Sequence, residues 1–330
     1  DPLEIIEQYG ADALRFMLIS GTSVGNDTRF LIEKVEAARN FANKLWNASR
    51  FLLASLEEKD YPLQEEHFDL ADKWILSRLA KTIEATDNSL KRYELGQSGD
   101  RIVDFVWNEY CDWYIEMSKA ALYSDDPEVK EAKQAVLLHV LEEILKLLHP
   151  FMPFITEEIW QHLPLRQSNL IRASWPQAGK EYALEEEGMG LVQEAITRIR
   201  NLRAEAGIPP SKKGELYLGG AKGKELEAYE GYFKALASIS EVHAVEEAVE
   251  GASQIVLEDL TLYLPLDELI DYNKELQRFQ EELKKTQSEV QRSQGKLSNA
   301  GFVDKAPQAL VEKEREKLEQ RQESIAKRYQ

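Results

Sequence analysis

Two pairs of side chains have a spacing that could support metal or acid–base chemistry. His139 with Glu143, and Glu158 with His162, stand four residues apart, so each pair lies on one face of a helix. A catalytic zinc ion usually needs a third protein ligand, and neither pair belongs to a His-Glu-x-x-His motif. We therefore interpret both pairs as ordinary helix residues and predict no catalytic residue and no metal site in this chain.

A polar stripe along one predicted helix, from about 31 to 56, is the second candidate for chemistry. The apolar side of this helix repeats every three or four residues and is expected to face the core. The polar stripe on the opposite side consists of Arg39 at its border, Asn40, Asn43, Lys44, Asn47, Arg50 and an outward Phe51. Amide groups hydrogen bond to unpaired bases, and aromatic rings stack on them. The alternative, a plain polar face with one exposed aromatic residue, is the better supported from these residues alone.

Composition excludes several classes of protein. The chain has 330 residues, 43% of them hydrophobic, which is enough to fill two or three domain cores and excludes disorder throughout. Cys111 is the single cysteine, so an internal disulfide, a zinc finger built on several cysteines and an iron–sulfur cluster are excluded, and a cytoplasmic protein is expected. We expect no membrane span and no signal peptide. The first residues, Asp1 and Pro2, indicate a fragment that begins without Met.

Charge is strongly segregated along the chain. The formal net charge is -18, but a polyanion meets the local field of one face rather than the sum. Residues 190–224 carry seven Lys/Arg against three Asp/Glu, and residues 274–330 carry thirteen against ten. Residues 225–273 carry one against twelve, a net charge of -11. Net acidity therefore does not exclude a nucleic acid as partner.

The pattern of apolar residues predicts a mainly α fold. Helices are expected at 2–9 and 11–20, where Asp1–Pro2 is an entry signal, and then an antiparallel helical bundle over 21–188. Its helices are predicted at about 31–56, 70–94, 97–122, 127–148 and 153–163, with Trp107, Tyr110, Trp113 and Tyr114 in the core. Short apolar runs between 189 and 265, with helices near 190–206 and 224–237, predict a small α/β module.

The last segment, 266–330, is predicted to form an antiparallel coiled-coil hairpin. Leu269, Leu276, Leu283, Val290 and Leu297 recur every seven residues, and Val311, Leu318 and Ile325 resume the repeat after the break at Gly301 and Pro307. The basic residues Lys284, Lys285, Arg292, Lys296 and Lys305 could meet phosphates along this arm, together with Lys313, Arg315 and Arg321. A solvated coiled-coil surface is the alternative, and the charges alone slightly favour it.

Several longer motifs resemble class I aminoacyl-tRNA synthetases, and among them the valine enzymes. The residues that carry this resemblance span almost the whole chain: Tyr9–Phe16, Arg39–Asn47, Phe105–Lys119, His149–Trp160, Ile199–Glu205 and Lys296–Asn299. The first resembles the Asp-Ala-Leu-Arg signature at the junction with the catalytic domain, so 1–20 would be the end of that junction. Isoleucine enzymes of bacteria commonly end in a cysteine-ligated zinc module, which one cysteine cannot build.

The resemblance implies a tRNA-binding region without catalytic function of its own. The catalytic and editing domains, and the ATP and Mg²⁺ that the full-length ligase uses, would lie upstream. The bundle would be an anticodon-binding domain, with Arg39, Asn43, Lys44, Asn47, Arg50 and Phe51 against the anticodon of valine tRNA. The hairpin would lie on the outer corner of the tRNA. The backbone-binding candidates are Arg198, Arg200, Arg203, Lys212 and Lys213, with Lys284, Lys285, Arg292, Lys296 and Lys305 on the arm.

Two other interpretations compete with this one. The chain could come from the isoleucine or leucine relatives, which an exchange of the tRNA would distinguish. It could instead be a coiled-coil interaction protein whose hairpin mediates self-association. We expect a monomer, so a concentration-independent mass in light scattering would count against self-association.

Overall fold

The structure is a computed structural model, and it describes residues 1–20, 29–166, 168–266, 269, 272–298 and 308–328. These residues form a mainly helical fold with a small four-stranded sheet, as the sequence predicts. Helix α1, Pro2–Tyr9, begins where the Asp1 carboxylate accepts a hydrogen bond from the Leu3 amide, 2.9 Å away. Gly10 ends it with φ at +90°, and α2, Ala11–Ile19, follows.

The bundle consists of long helices joined by short connections. Helix α3 spans Ile32–Leu53, and α4 spans Leu70–Lys91. Helix α4 starts at a capping box in which the Asp69 and Asp72 side chains each accept the other's backbone N–H. Helices α7, Pro127–Leu148, and α8, Pro153–Gln161, both begin with proline at the first turn. These bounds agree with the predicted helices to within a few residues.

The helix predicted over 97–122 is continuous but not α-helical throughout. Helix α5, Leu95–Asp104, and α6, Ile115–Leu122, flank a π-helical segment, Phe105–Tyr114. Sequence periodicity did not predict this segment, because apolar residues three and four apart indicate an α-helix. Tyr110 and Tyr114 are fully buried in the core, as predicted. Trp107 and Trp113 are partly exposed instead, which places them at the surface of the bundle.

Helix α9, Ala183–Glu205, packs on α4 and carries the chain into the small module. The Arg78 guanidinium links them, because it donates two 2.8 Å hydrogen bonds to Glu109 and lies 3.6 Å from Glu186. These contacts hold α4, the π-helical segment and α9 together.

The small α/β module contains strands β1 to β4 at Gly214–Gly219, Ile239–Ala244, Ser253–Val256 and Thr261–Leu264. Their order is β2-β1-β4-β3; β1 and β2 are parallel, and the other pairs are antiparallel. The single helix predicted near 224–237 is two helices, α10, Gly223–Glu227, and α11, Glu230–Leu236. The backbone turns at Ala228–Tyr229, where the Tyr229 amide donates to the Leu226 carbonyl. At the start of α10 glycine is required at position 223, because a Cβ on Gly223 would lie 2.6 Å from the Leu218 carbonyl oxygen.

The last two helices are α12, Tyr272–Ser298, and α13, Gln308–Arg328, and they contact each other. Among the described members of the predicted repeat, Ser293 and Val311 are buried, and Leu283, Val290 and Leu318 are partly buried. Leu269 lies before α12, beside Gly214 of the small module. None of the helices described here has the length and apolar character needed to cross a membrane.

Candidate nucleic-acid interface

The polar stripe lies on the surface of α3, as its periodicity predicts. Val35, Leu45 and Leu52 are buried on the opposite side. Asn40, Asn43, Asn47 and Arg50 are exposed. The contrast follows from burial of the apolar face against the rest of the bundle. Amide and guanidinium groups of the polar stripe are therefore available to a ligand along three turns of one helix.

Lys44 is held in place by the π-helical segment. Its Nζ lies 2.5 Å from Asp112 Oδ1 and 4.1 Å from the centroid of the Trp107 ring. A carboxylate and an aromatic face both attract an ammonium group. The Lys44 side chain is only 24% exposed, whereas Asp112 is 49% exposed. Lys44 thus connects the polar stripe with Trp107 and Asp112 rather than projecting freely into solvent.

Trp107 and Asp112 lie beside the polar stripe, although the stripe alone does not reveal them. They stand on another helix, more than 60 residues away in sequence, and only packing of α3 on the π-helical segment brings them beside Lys44. π-helical turns frequently occur at functional sites. The signal available in the sequence was the resemblance across Phe105–Lys119, which contains both residues.

Phe51 is not as far outward as its helical position predicts. It is partly exposed and packs against the core, and the Lys119 Nζ lies 5.8 Å from its ring centroid. The deviation arises because a large ring at the end of the helix covers neighbouring apolar side chains. Packing against the core restricts the Phe51 side chain, and a restricted ring loses less conformational entropy when a base stacks on it.

Arg39, at the border of the polar stripe, packs toward the first helix. Its guanidinium carbon lies 5.4 Å from the centroid of the Tyr9 ring, and a terminal nitrogen donates to Asn40 Oδ1 over 3.4 Å. Its Nε is buried without a hydrogen-bond partner among the described residues. These contacts place Arg39 at the end of the stripe where α1 and α3 meet.

Cys111 lies in the π-helical segment but does not supply a reactive thiolate. The residue is buried, and burial raises the pKa of its thiol to about 12. At neutral pH the side chain is a neutral thiol, which behaves as a small apolar group.

The predicted basic residues after 190 differ in accessibility. Arg198 is exposed and pairs with Glu194 at 3.4 Å, and Lys213 is exposed. Lys212 is exposed and donates to the Leu269 carbonyl over 3.1 Å. These three residues present cationic groups to solvent.

Two of the predicted basic residues have structural partners. Arg203 is only 4% exposed and donates to the carbonyls of Pro209 and Lys212, so it stabilises the turn after α9 instead of presenting charge at the surface. Arg200 donates to the Leu236 carbonyl over 2.6 Å, and its guanidinium lies 5.6 Å from the Trp113 ring. The carbonyls left at helix ends and turns accept such hydrogen bonds readily.

The arm candidates on α12 are at the surface. Lys284, Lys285, Arg292 and Lys296 are all exposed. Lys305 lies outside the described residues. The structure therefore gives four accessible cationic side chains along about three turns of one helix.

The two His–Glu pairs set aside in the sequence do not form a metal centre. His139 is largely buried, and burial lowers the pKa of its imidazole. His162 Nδ1 lies 2.8 Å from the Glu158 backbone carbonyl, not from a carboxylate. In the part of the chain that the structure describes, no group of three or more His, Cys, Asp or Glu side chains could hold a metal ion.

Comparison with known proteins identifies the same two regions. A family profile described as "Anticodon-binding domain of tRNA ligase" matches residues 72–218, and one described as "Valyl tRNA synthetase tRNA binding arm" matches residues 271–328. The chain is 47% identical to the valine–tRNA ligase of Clostridium tetani, over 98% of this chain and 38% of that protein. The valine–tRNA ligases of Clostridium acetobutylicum and Bacillus licheniformis are 44% and 46% identical over 97% and 96% of this chain, and 37% of each relative.

The chain thus spans about 37–38% of the length of the curated relatives it matches. Among solved structures, the LeuRS–tRNA–LeuAMS ternary complex from Agrobacterium radiobacter aligns with 67% of this chain and 23% of that chain, at 16% identity and a TM-score of 0.43.

Proposed function

We propose that the helical bundle binds the anticodon stem-loop of valine tRNA. The premise is that this chain belongs to the valine–tRNA ligase family. The observation that carries the proposal is the exposed polar stripe of α3 beside Trp107 and Asp112. Asn43 and Asn47 offer amide donors and acceptors to unpaired bases, and Arg50 offers cationic donors to phosphate or base edges. Trp107, beside Lys44, and Phe51, near Lys119, supply aromatic surface for stacking.

The two C-terminal helices form the second part of the proposed interface. We infer an antiparallel coiled-coil hairpin that lies against the outer corner of the L-shaped tRNA, supported by the contact between α12 and α13 and by the match to a tRNA-binding arm. Exposed cations on one side of α12 would neutralise backbone phosphates without reading sequence. Arg198, Lys212 and Lys213 extend the cationic surface toward the bundle.

The activity proposed for the whole protein is attachment of valine to its tRNA with consumption of ATP. The ATP and Mg²⁺ of that reaction would be bound outside these 330 residues. The residues described here would select and orient the tRNA, so that its acceptor end reaches the catalytic domain. We further propose a monomeric, cytoplasmic protein.

The test of this function is salt-dependent binding of the chain to three RNAs: valine tRNA, the same tRNA with a changed anticodon, and isoleucine tRNA. We expect the tightest binding to the first, with affinity that falls steeply as salt rises. Equal binding to valine tRNA and its anticodon variant would contradict the anticodon role of the bundle. Tighter binding to isoleucine tRNA would contradict the choice of substrate.

Phe51→Ala should reduce discrimination between the cognate and the changed anticodon. Stacking of one base on an aromatic side chain is worth about 1–3 kcal/mol, so cognate affinity should fall by roughly 5- to 150-fold, and affinity for the changed anticodon should fall less. The ratio of the two dissociation constants, measured by fluorescence anisotropy, reports the effect.

Two matched variants control for packing at this position. Phe51→Leu keeps apolar volume against the core and should still lose the stacking, while Phe154→Ala removes a ring that is 65% exposed on α8 and should change neither affinity. An equal loss for both anticodons in Phe51→Ala would assign the ring a structural role only.

A further inference from the structure

The outer face of the small sheet carries a row of aromatic side chains that the tRNA interface does not use. Strand pairing places Tyr217 opposite His243 on one side and opposite Tyr263 on the other. The ring centroids of Tyr217 and His243 are 5.3 Å apart. We call His243, Tyr217 and Tyr263 the aromatic row; it crosses three adjacent strands, β2, β1 and β4.

The side chains of this outer face are partly exposed, whereas those of the other face form the core of the module. Leu216, Leu218 and Leu262 point inward and are fully buried, and α10 and α11 pack on that side. Because side chains alternate along a strand, the aromatic row points the other way, and its members remain partly exposed. A Cβ at Gly219 would lie 3.0 Å from the Tyr263 ring, so the ring lies over the glycine.

Two carboxylates flank the aromatic row on the same face. Glu215 and Glu241 each stand two residues before a member of the row, on neighbouring strands, next to the paired residues Leu216 and Val242. The Tyr217 hydroxyl donates to Glu215 Oε2 over 2.5 Å, and Glu241 Oε2 lies 3.4 Å from His243 Nε2. The Glu241 side chain is 65% exposed. Two carboxylates on adjacent strands repel each other, and a cation between them would relieve that repulsion.

The surroundings of this face are also acidic. Residues 225–273 carry a net charge of -11, and Glu246, Glu247, Glu250, Glu258 and Asp259 are exposed in the loops of the module. Such a field attracts polycations and repels nucleic acid. Base stacking on the aromatic row would have to overcome repulsion of every phosphate brought near it.

We propose that the outer face of the small sheet is a docking site for a basic, arginine- or lysine-rich segment of a partner protein. Guanidinium groups stack on aromatic faces and form paired hydrogen bonds with carboxylates, so the aromatic row and its two glutamates offer both kinds of contact within one patch. This function is separate from tRNA binding, because neither the polar stripe nor the arm contributes a residue to it.

The experiment measures binding of a fluorescein-labelled hexa-arginine peptide to the full chain by anisotropy at about 0.15 M salt, where surface attraction is largely screened beyond about 8 Å. We expect saturable binding of one peptide. The double variant Glu215→Gln/Glu241→Gln should weaken it by about tenfold, and Tyr217→Leu by about three- to tenfold. Thermal unfolding of each variant verifies that the module is folded.

A matched double variant separates a site from general attraction to acidic surface. Glu246→Gln/Glu247→Gln removes the same charge from an exposed loop of the module and should change the dissociation constant by less than about twofold. Equal weakening by both double variants, the absence of saturable binding, or tighter binding of a labelled oligouridylate at this face would each overturn the proposal.

Discussion

Lys133→Ala is expected to lower the free energy of unfolding by about 3–5 kcal/mol at neutral pH, because it leaves the buried Asp72 carboxylate without its cation. Lys133 is 4% exposed, and its Nζ lies 2.6 Å from Asp72 Oδ1 and 2.7 Å from Asp69 Oδ2. The Tyr114 hydroxyl donates a third contact, to Asp72 Oδ1 over 2.5 Å. Without the ammonium group, most of the free-energy cost of desolvating the Asp72 carboxylate is uncompensated.

This network holds several elements in the arrangement on which the interface depends. It joins the start of α4 to α7 through Lys133, and to the π-helical segment through Tyr114. The Tyr232 hydroxyl of α11 accepts a hydrogen bond from the Ala71 amide over 3.3 Å, which brings the small module to the same point. Loss of Lys133 should thus loosen the segment that carries Trp107 and Asp112.

The loss of unfolding free energy in Lys133→Ala should depend on pH, and the pKa values of the network determine its direction. Burial raises the pKa of Asp72 to about 6, although Lys133 opposes the shift. Burial alone would lower the pKa of Lys133, but its attraction to Asp72 and Asp69 outweighs burial and raises that pKa. Without Lys133 the pKa of Asp72 should rise further. A carboxyl whose folded pKa exceeds its unfolded value favours folding when it is protonated, so the variant should recover stability as pH falls from 8 to 5.

The measurement is urea unfolding of the wild type and the variant at pH 8, 6.5 and 5, followed by tryptophan fluorescence. Lys130→Ala is the matched control, since Lys130 is on the same helix, three residues earlier, and is partly exposed. It should cost less than about 0.5 kcal/mol at every pH. The buried ion pair would be shown not to stabilise the bundle by either of two results. Lys133→Ala would lose no more unfolding free energy than Lys130→Ala, or its loss would stay constant from pH 8 to 5.

Helix ends and strands were predictable because local chemistry determines them. Asp1–Pro2 and Gly10 bound α1 in sequence and in structure, since the cap and the positive φ concern only neighbouring residues. The four short apolar runs between 189 and 265 overlap the four strands, because short apolar runs between turn residues favour strands. The order of the strands was not predictable from those runs.

Interactions between distant residues were not predictable. Arg203 is predicted from the sequence as a tRNA-backbone contact, and only packing shows that backbone carbonyls hold it in the interior. Lysine is usually exposed, and packing alone shows that a carboxylate holds Lys133 inside. The polar stripe itself was identified from helical spacing, but Trp107 and Asp112 were not assigned to it. Their contribution depends on how α3 packs against the π-helical segment, which no local pattern specifies.

The arm should bind tRNA with one side only, because its cations are not distributed evenly around the helices. At about 100° per residue, Lys285, Arg292 and Lys296 fall within about 40° of one another on α12, away from the contact formed by Val290 and Ser293. Lys313 and Lys317 occupy the corresponding flank of α13, and the opposite flank of α13 carries Glu312, Glu316 and Glu319. Lys284 lies about 100° from Lys285.

An antiparallel hairpin would place the two basic flanks on the same side. In an antiparallel pair of helices, the same flank of each helix lies on the same side of the pair. The two basic flanks would therefore form one basic face, which contains Lys285, Arg292, Lys296, Lys313 and Lys317. The acidic flank of α13 would then point away from the phosphates. Of the two adjacent lysines, Lys285 is expected to contact tRNA, and Lys284 is not.

Lys285→Glu/Arg292→Glu should therefore weaken binding of valine tRNA by on the order of a hundredfold at about 0.15 M salt, with equal loss for the changed anticodon. Each reversal removes an attraction and adds a repulsion, and the slope of log K against log salt should fall by at least about 1.5. Lys284→Glu/Arg315→Glu carries the same change in charge on other flanks of the helices and should have a much smaller effect. Equal losses in the two double variants would mean that only net charge matters, whereas a larger loss in the second would place the tRNA on the opposite side of the hairpin.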